Sequence, residues 1–429
     1  MTDPAAYFRD VAATHPRCFW LDGGGAREWS GRRSLVGWLD EDDVSLSFDA
    51  AAREVRRHAG GGSEVVGDDV FAVLEAELAA GDAGDQWFGY LGYACRTDLP
   101  GRPSADLPDA VWMRASHVRL FEHEVTDVRG GFETVAARPP QPPDAAYSDA
   151  FARVREELLA GNSYEVNLTY RRAVASGLDP VTAYLRLRDL NPAPYAGFLQ
   201  HDVLGARGWL LSSSPERYAL VTADRVLETK PIKGTTLRSA DPVADEAARA
   251  DLAGEPRFRA ENLMIVDLLR NDLSMVCAPG TVEVPVLMEV ESYATVHQLV
   301  STVRGRLRDD VTTVGALRAL FPAGSMTGAP KLRTMEIVDA VEATPRGVYA
   351  GAFGWVSGDG RADLGVVIRS LTTTGDGTWR LGTGGGITVH SEVGDEHAES
   401  RWKAERLLSV FADGIFPDET GRQYGGNTS

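Results

Sequence analysis

Residues 228–238 read ETKPIKGTTLR, and they follow an apolar segment from Tyr218 to Leu227 that predicts a β-strand. Pro231 has no backbone N–H to donate, which excludes a central ladder position there. Gly234 permits a backbone conformation, or a close approach by a ligand, that a side chain would forbid. Between them stands Lys233, which a tight turn can aim into a cleft, where desolvation would lower its pKa and yield a nucleophilic amine. On this stretch alone, a solvated surface lysine is the commoner alternative.

The composition describes an acidic chain with enough apolar residues for a large core. Of its 429 residues, 43% are hydrophobic. This length suggests roughly two to three domains or one large intertwined domain. Lysine and arginine total 44 against 62 aspartate and glutamate, a formal net charge of -18. Such a charge argues against nucleic-acid or anionic-membrane partners, and an anionic substrate would need local cations or a metal ion.

The cysteines and the first residues indicate the compartment. Cys18, Cys95 and Cys277 lie far apart and form neither a metal-ligand spacing nor a disulfide framework, which fits a reducing environment. The N-terminus lacks the basic and apolar regions of a signal peptide, and no apolar run is long enough to span a membrane. We therefore expect a cytoplasmic protein.

The proline-rich segment PPQPP at 139–143 is the clearest boundary in the chain, since it is too stiff for a helix or sheet interior. We predict an N-terminal region over 1–145, a catalytic region over 146–412 and a disordered tail over 413–429. Strands and helices come in runs rather than in strict alternation. That order predicts an α+β fold with large antiparallel sheets and not a doubly wound parallel sheet.

Apolar periodicity predicts the elements that carry the later motifs. The predicted helices that matter most are Tyr147–Ala160, Val311–Leu320, Pro330–Val341, Asp395–Phe411 and Asp241–Asp272, the last broken near Gly254 to Pro256. The predicted strands include Val111–Glu122, Tyr164–Tyr170, Thr295–Leu307, Val348–Ser357, Asp363–Thr373 and Thr378–Thr388. Pro330 is predicted in the first turn of its helix, where proline is favoured.

Two groups of acidic residues suggest metal binding. Glu261 lies early in a predicted helix, in which Asp267 and Arg270 are spaced to pair. Glu396 and Glu399 are three residues apart on the last helix and share a face, where like charges repel unless a cation is near. Oxygen ligands without nitrogen or sulfur suit Mg²⁺. The alternative is an ordinary acidic pair on a solvated helix face.

Two glycine-bearing segments can bring backbone N–H groups close to an anion. Residues 321–331 read FPAGSMTGAPK and lead into a helix, whose free N–H groups and dipole attract carboxylate or phosphate. The spacing is not that of a P-loop. Residues 382–387 read GTGGGI. Each segment can equally be an ordinary turn. Three single residues, His297, Arg369 and Glu216, are each more typical of ordinary packing or of the surface when considered alone.

Five motifs occur in one order along the chain: SPER at 214–217, PIKGT at 231–235, ENLMIVDLLRND at 261–272, GSMTGAPK at 324–331 and GGGI at 384–387. With these motifs the chain resembles the anthranilate synthase component I family of chorismate-utilising enzymes. The resemblance is strong over about 145–412 and weak before it. It implies an α/β sandwich with large antiparallel sheets in two interleaved subdomains.

Lys233 indicates the branch of that family. The anthranilate and isochorismate enzymes typically carry alanine at this position, whereas the aminodeoxychorismate synthase component I branch carries lysine. The resemblance implies conversion of chorismate and ammonia to 4-amino-4-deoxychorismate, a precursor of p-aminobenzoate and folate. Lys233 would attack C2 as the 4-hydroxyl leaves, ammonia would add at C4 and expel the lysine, and Glu216 would act as general acid and base.

The resemblance also implies a metal site and a substrate pocket. Glu261 and Glu399, with Glu396 nearby, would hold Mg²⁺. The residues expected to contact chorismate are Thr235, His297, Thr327, Tyr349, Arg369, Gly384, Gly385 and Lys403. Glu165 stands where isochorismate and salicylate synthases carry a water-activating lysine, so those activities are not expected.

No glutaminase nucleophile motif occurs in the sequence. Ammonia is therefore expected from a separate glutamine amidotransferase subunit or from solution. Two alternatives remain open at this point: an anthranilate synthase component I, against which Lys233 counts, and a non-catalytic paralogue that binds chorismate or the glutaminase.

Overall fold

The computed structural model describes residues 3–23, 33–123, 142–293 and 296–412. The predicted tail over 413–429 and most of the PPQPP segment lie outside the described residues. Among the helices within these ranges, none is long and apolar enough to cross a membrane.

The helices begin mostly at an aspartate whose carboxylate accepts a backbone N–H of the first turn. Four of the described helices also carry proline in the first turn, where the missing N–H costs no hydrogen bond. Their bounds are α1 Pro4–Thr14, α2 Val70–Ala80, α3 Ala145–Leu159, α4 Pro180–Leu190, α5 Pro242–Gly254, α6 Pro256–Ser274, α7 Thr313–Leu320, α8 Lys331–Val341 and α9 Val393–Leu408.

Strands make up most of the remaining described chain. Their bounds are β1 Arg17–Asp22, β2 Arg33–Trp38, β3 Ser45–Asp49, β4 Glu54–Ala59, β5 Gly62–Gly67, β6 Gln86–Leu91, β7 Ala110–Arg114, β8 His117–Glu122, β9 Glu165–Ala175, β10 Tyr195–His201, β11 Gly208–Ser214, β12 Arg217–Val221, β13 Val226–Lys230, β14 Ile232–Leu237, β15 Glu283–Ser292, β16 Val296–Arg306, β17 Gly328–Ala329, β18 Ala352–Ser357, β19 Ala362–Val366, β20 Ser370–Thr373 and β21 Thr378–Ile387.

Two large antiparallel sheets organise these strands. A nine-stranded sheet has the order β17-β9-β21-β20-β11-β10-β1-β2-β8. A twelve-stranded sheet has the order β14-β16-β13-β12-β19-β18-β6-β7-β3-β4-β5, and β15 also pairs with β16. Each sheet takes strands from before residue 123 and from after residue 142, so the two parts of the chain interleave. The predicted α+β fold with large antiparallel sheets is confirmed, and the domain boundary at 145 stays a prediction.

The two sheets pack face to face through a layer of aromatic and aliphatic side chains. Phe19 on β1 stacks on Phe88 on β6, with ring centroids 3.8 Å apart. Leu199, Leu210 and Phe353 belong to the same buried cluster. Burying such side chains contributes roughly 1.5–3 kcal/mol each, and the packing fixes one sheet against the other.

Several element predictions are confirmed and some are wrong. The break in the helix over Asp241–Asp272 occurs where predicted, because Glu255 ends α5 and caps α6. The single strand from Tyr218 to Leu227 is instead the hairpin of β12 and β13, whose turn places Arg225 at a φ of 61°. The strand predicted over Val111–Glu122 divides into β7 and β8, which belong to different sheets.

Two other differences concern proline and an edge strand. Pro330 is the N-cap residue of α8 and not part of its first turn. Strand β15 was not predicted, because its residues are mostly exposed or half-buried and Pro285 interrupts the strand signal.

Candidate active site

One cavity collects most of the side chains that the sequence singled out. It is bounded by β14, the turn between β11 and β12, β21, α6 and α9. The predicted residues that line it are Glu216, Lys233, Thr235, Glu261, Tyr349, Arg369, Gly384, Gly385, Glu396, Glu399 and Lys403. Residues as far apart in sequence as Glu216 and Lys403 therefore converge on one site.

Lys233 reaches the cavity from a bulge in a strand and not from the predicted tight turn. The pairing of β14 with β16 loses register between Ile232 and Thr235. Gly234 has a φ of 89°, and a Cβ there would lie 2.8 Å from the Phe258 ring. Only glycine fits that conformation and that space, so the residue after Lys233 sets the direction of the lysine side chain.

The surroundings of Lys233 favour the ammonium form. Its side chain is buried, and Nζ donates a hydrogen bond to Oε1 of Glu165. Burial alone would lower the pKa of Lys233, but the carboxylates of Glu165, Glu261 and Glu216 outweigh burial and raise it. The expectation that desolvation yields a free amine is therefore wrong for the protein without substrate, because the direct hydrogen bond to Glu165 was not predicted.

Glu216 is placed to exchange a proton near neutral pH. It lies in the turn before β12, and its Oε1 accepts a hydrogen bond of 2.5 Å from the hydroxyl of Ser325. Burial raises the pKa of Glu216 to about 7, against the opposing effects of that hydrogen bond and of Lys233. Both protonation states are populated at pH 7, as a residue that acts as acid and then as base requires.

The three predicted metal ligands are paired with basic side chains. Arg257 donates to Glu261 at 3.0 Å and to Glu396 at 2.5 Å, and Lys403 pairs with Glu399 at 2.7 Å. The donor set is all oxygen, which fits Mg²⁺. Within the described residues, however, no group of three acidic, histidine or cysteine side chains is arranged to hold a metal ion. The oxygen donors fit Mg²⁺, but Arg257 would have to break its ion pairs with Glu261 and Glu396 before the ion could bind there.

The cavity lining also offers groups suited to carboxylates. Arg369 has a φ of 51° and lies over the Trp402 ring, 5.4 Å from its centroid. Burial lowers the pKa of Arg369 to about 10. Lys403 donates to the carbonyl oxygen of Gly384 at 3.1 Å, and a Cβ at Gly384 would lie 2.2 Å from a main-chain oxygen. These residues form a cationic wall in an acidic protein.

Two predicted substrate contacts do not line the cavity. His297 is 1% exposed, and its ring nitrogens hydrogen-bond to Ser292 at 2.7 Å and to Asp245 at 3.1 Å. Thr327 is buried, and its hydroxyl donates to the carbonyl of Gly324 at 3.1 Å. Both side chains are used in internal hydrogen bonds and neither lines this cavity, so their contact with the substrate ring stays a prediction.

Three residues outside the predicted catalytic, metal and substrate-binding set also shape the site. Glu165 contacts Lys233, and Ser325 contacts Glu216. Arg257 contacts both Glu261 and Glu396. Ser325 lies inside the GSMTGAPK motif, which was a usable signal. Glu165 is 68 residues before Lys233. The resemblance placed Glu165 at the position of a water-activating lysine in related enzymes, but it did not indicate the contact with Lys233.

The sequence of the chain matches the family model described as chorismate binding enzyme over residues 17–409. The chain belongs to the chorismate-binding enzyme family. Members similar to it include an aminodeoxychorismate synthase from Streptomyces pristinaespiralis, 40% identical over 95% of this chain. Aminodeoxychorismate synthase component 1 from Salmonella typhimurium is 42% identical over 61% of this chain.

The match to these family members is partial on their side. The chain spans 64% of the length of the Streptomyces relative and 56% of the Salmonella relative. Among solved structures, anthranilate synthase component I from Streptococcus pneumoniae superposes with a TM-score of 0.71 at 24% identity, covering 88% of this chain and 92% of that one. That likeness shows that the chain has the fold of the chorismate-binding family.

Proposed function

We propose that this chain converts chorismate and ammonia to 4-amino-4-deoxychorismate through a covalent adduct on Lys233. The observation that carries the proposal is the burial of Lys233 in the same cavity as Glu216 and Arg369. The names of the two aminodeoxychorismate synthase relatives support the same reaction. The product would supply p-aminobenzoate for folate or for a related secondary pathway.

Each residue has a task in this reaction. Arg369 and Lys403 bind the carboxylates of chorismate, and the glycines of β21 let the ligand approach the backbone. Glu216 in its protonated form donates to the departing 4-hydroxyl as Lys233 bonds to C2. The Glu216 carboxylate then accepts a proton from the ammonia nitrogen that adds at C4, and the C2–N bond to Lys233 breaks.

Lys233→Ala tests the nucleophile directly. Ammonia-dependent turnover should fall by at least about a hundredfold, since the covalent route is lost. Lys230→Ala is the matched control, because Lys230 pairs with Glu291 at 2.6 Å and does not line the cavity. A folded Lys233→Ala protein with wild-type turnover would refute the proposed nucleophile, and loss of turnover in both variants would mean that the effect is not specific to the site.

We further propose Mg²⁺ as the cofactor, held by Glu261, Glu399 and Glu396. The ion would bind a chorismate carboxylate and offset the negative charge there. Since Arg257 bridges two of these carboxylates, Arg257→Gln should raise Mg²⁺ affinity, measured by isothermal titration calorimetry with the metal alone. Unchanged affinity in Arg257→Gln would contradict this arrangement, and lack of any Mg²⁺ binding with chorismate present would contradict the cofactor.

We also propose a glutamine amidotransferase subunit as the source of ammonia, in the cytoplasm. The designation component 1 of the Salmonella relative supports a second component. The described cysteines are free and buried, which supports a reducing compartment. Adding an amidotransferase subunit should make turnover depend on glutamine, whereas dependence on ammonium alone would contradict the partner.

A further inference from the structure

The nucleophilic lysine has a buried acidic partner to which the reaction above gives no task. Glu165 begins β9 and is 1% exposed. Its Oε1 accepts the hydrogen bond of the Lys233 ammonium, and its Oε2 has no hydrogen-bond partner within the described residues. A buried carboxylate costs free energy unless a cation compensates it, so the pair holds both charges together.

The backbone around Glu165 is built to keep this carboxylate in place. The hydroxyl oxygen of Ser163 lies 2.8 Å from the carbonyl oxygen of Glu165 and 2.9 Å from that of Ala329, and it donates to one of the two at a time. On the adjacent strand β21, a Cβ at Gly386 would lie 2.1 Å from Oε1 of Glu165. Glycine at 386 therefore leaves the space that the carboxylate occupies.

Other carboxylates also face Lys233, but they differ in contact. Glu261 on α6, Glu216 before β12 and Glu399 on α9 act on it through longer-range charge interactions. Among the described residues, Glu165 is the carboxylate that hydrogen-bonds to Nζ. An ammonium so held is not nucleophilic until the proton leaves, and the shortest path for that proton is to Glu165.

We propose that Glu165 is the base that takes the proton from Lys233 when the lysine attacks chorismate, and returns it when the lysine departs. This role rests on the proposed function and adds a catalytic residue to it. Glu216 is unsuited to the task, because it has to be protonated at the same moment to donate to the leaving hydroxyl.

The proton balance closes over one turnover. In the first half, Glu165 takes one proton from the Lys233 ammonium. The freed lone pair forms the N–C2 bond, the ring double bonds shift toward C4, and the C4–O bond breaks as Glu216 gives its proton to the hydroxyl, which leaves as water. In the second half, ammonia bonds to C4 as the ring double bonds shift back, and it gives a proton to Glu216. The C2–N bond pair then returns to Lys233, which recovers its ammonium proton from Glu165.

Glu165→Gln tests this role with an isosteric side chain that can accept a hydrogen bond but is a poor base. The enzyme is mixed with chorismate without ammonia and quenched, and intact mass spectrometry measures the Lys233 adduct, chorismate less water. The wild-type rate should fall as pH rises through the pKa of Glu216, about 7, because the protonated form donates to the leaving hydroxyl. In Glu165→Gln the rate at pH 7 should fall by about a hundredfold, and the ratio of the variant rate to the wild-type rate should rise about tenfold per pH unit, because solvent must then remove the proton.

The matched control is Glu291→Gln, which breaks the neighbouring pair with Lys230 outside the cavity and should leave the adduct rate unchanged. Gly386→Ala provides a second variant, in which residue 165 is still glutamate but the added Cβ displaces its carboxylate from Lys233. Circular dichroism and thermal melts verify that each variant folds. Loss of rate in Gly386→Ala with the same pH slope as Glu165→Gln would support the assignment.

The outcomes separate this inference from the proposed function. If the adduct forms in Glu165→Gln at least as fast as in the wild type and with the same pH profile, the role of Glu165 is overturned and the proposed function stands. Absence of the adduct in the wild type, with turnover retained by Lys233→Ala, overturns the covalent route and the role of Glu165 with it.

Discussion

Replacing Ser325 with alanine should shift the pH dependence of the reaction toward higher pH. The Ser325 hydroxyl donates to the Glu216 carboxylate at 2.5 Å, and this bond stabilises the ionised form. Hydrogen bonds to charged groups contribute about 1.5–3 kcal/mol, which corresponds to roughly one to two pKa units. The pKa of Glu216 should rise from about 7 by that amount in Ser325→Ala.

The sign follows from the form of Glu216 that the first half of the reaction needs. Protonated Glu216 donates to the leaving hydroxyl, so kcat/KM for chorismate should fall as pH rises through its pKa. In Ser325→Ala the protonated form persists to higher pH, and this descending limb should move up by about one pH unit or more.

The assay follows chorismate consumption between about pH 6 and pH 9.5 at a fixed concentration of free ammonia, because the ammonium equilibrium also changes over this range. Ser47→Ala is the control, since Ser47 is buried and hydrogen-bonds to His58 at 2.8 Å, outside the cavity lining. A folded, active Ser325→Ala enzyme with an unmoved limb would refute the role given to Glu216.

Three further predictions concern stability and the cavity wall. Burial lowers the pKa of His201 to about 3, so unfolding takes up a proton below pH 6.5. This residue should lower the free energy of unfolding by roughly 3 kcal/mol between pH 6.5 and about pH 4. Denaturant unfolding at a series of pH values measures this dependence, and a His201→Gln protein with the same dependence on pH as the wild type would contradict it. Arg217→Met leaves Glu228 without its buried partner and should lower the free energy of unfolding, measured in urea, by roughly 3–5 kcal/mol. A decrease of less than about 1 kcal/mol would contradict a stabilising role for this ion pair. Gly382→Ala puts a Cβ 2.3 Å from the Tyr349 ring, so KM for chorismate should rise at least about tenfold, and an unchanged KM would show that Tyr349 does not shape the site.

Local sequence patterns predicted many elements but not their arrangement in the sheets. The break at Glu255 has a local cause, since one residue ends a helix and caps the next. The division of Val111–Glu122 between two sheets has a non-local cause, because β7 pairs with β3 and β6 whereas β8 pairs with β2. Pairing partners distant in sequence leave no trace in a single apolar run.

The site shows the same limit at the level of side chains. Motifs predicted which segments meet but not which face each residue presents. On β16, successive residues point to opposite sides, so Gln298 lines the cavity while its neighbour His297 turns away from it. The resemblance placed Glu165 at an active-site position, but its contact with Lys233 joins strands of two different sheets and leaves no pattern in the sequence.

The most direct test of the account is the identity of the product. The protein is incubated with chorismate, Mg²⁺ and ammonium, and the products are separated and identified by mass spectrometry. The account predicts 4-amino-4-deoxychorismate without release of pyruvate. Anthranilate together with an equal amount of pyruvate would contradict it, because that outcome would mean amination at C2 and no role for a lysine bonded there.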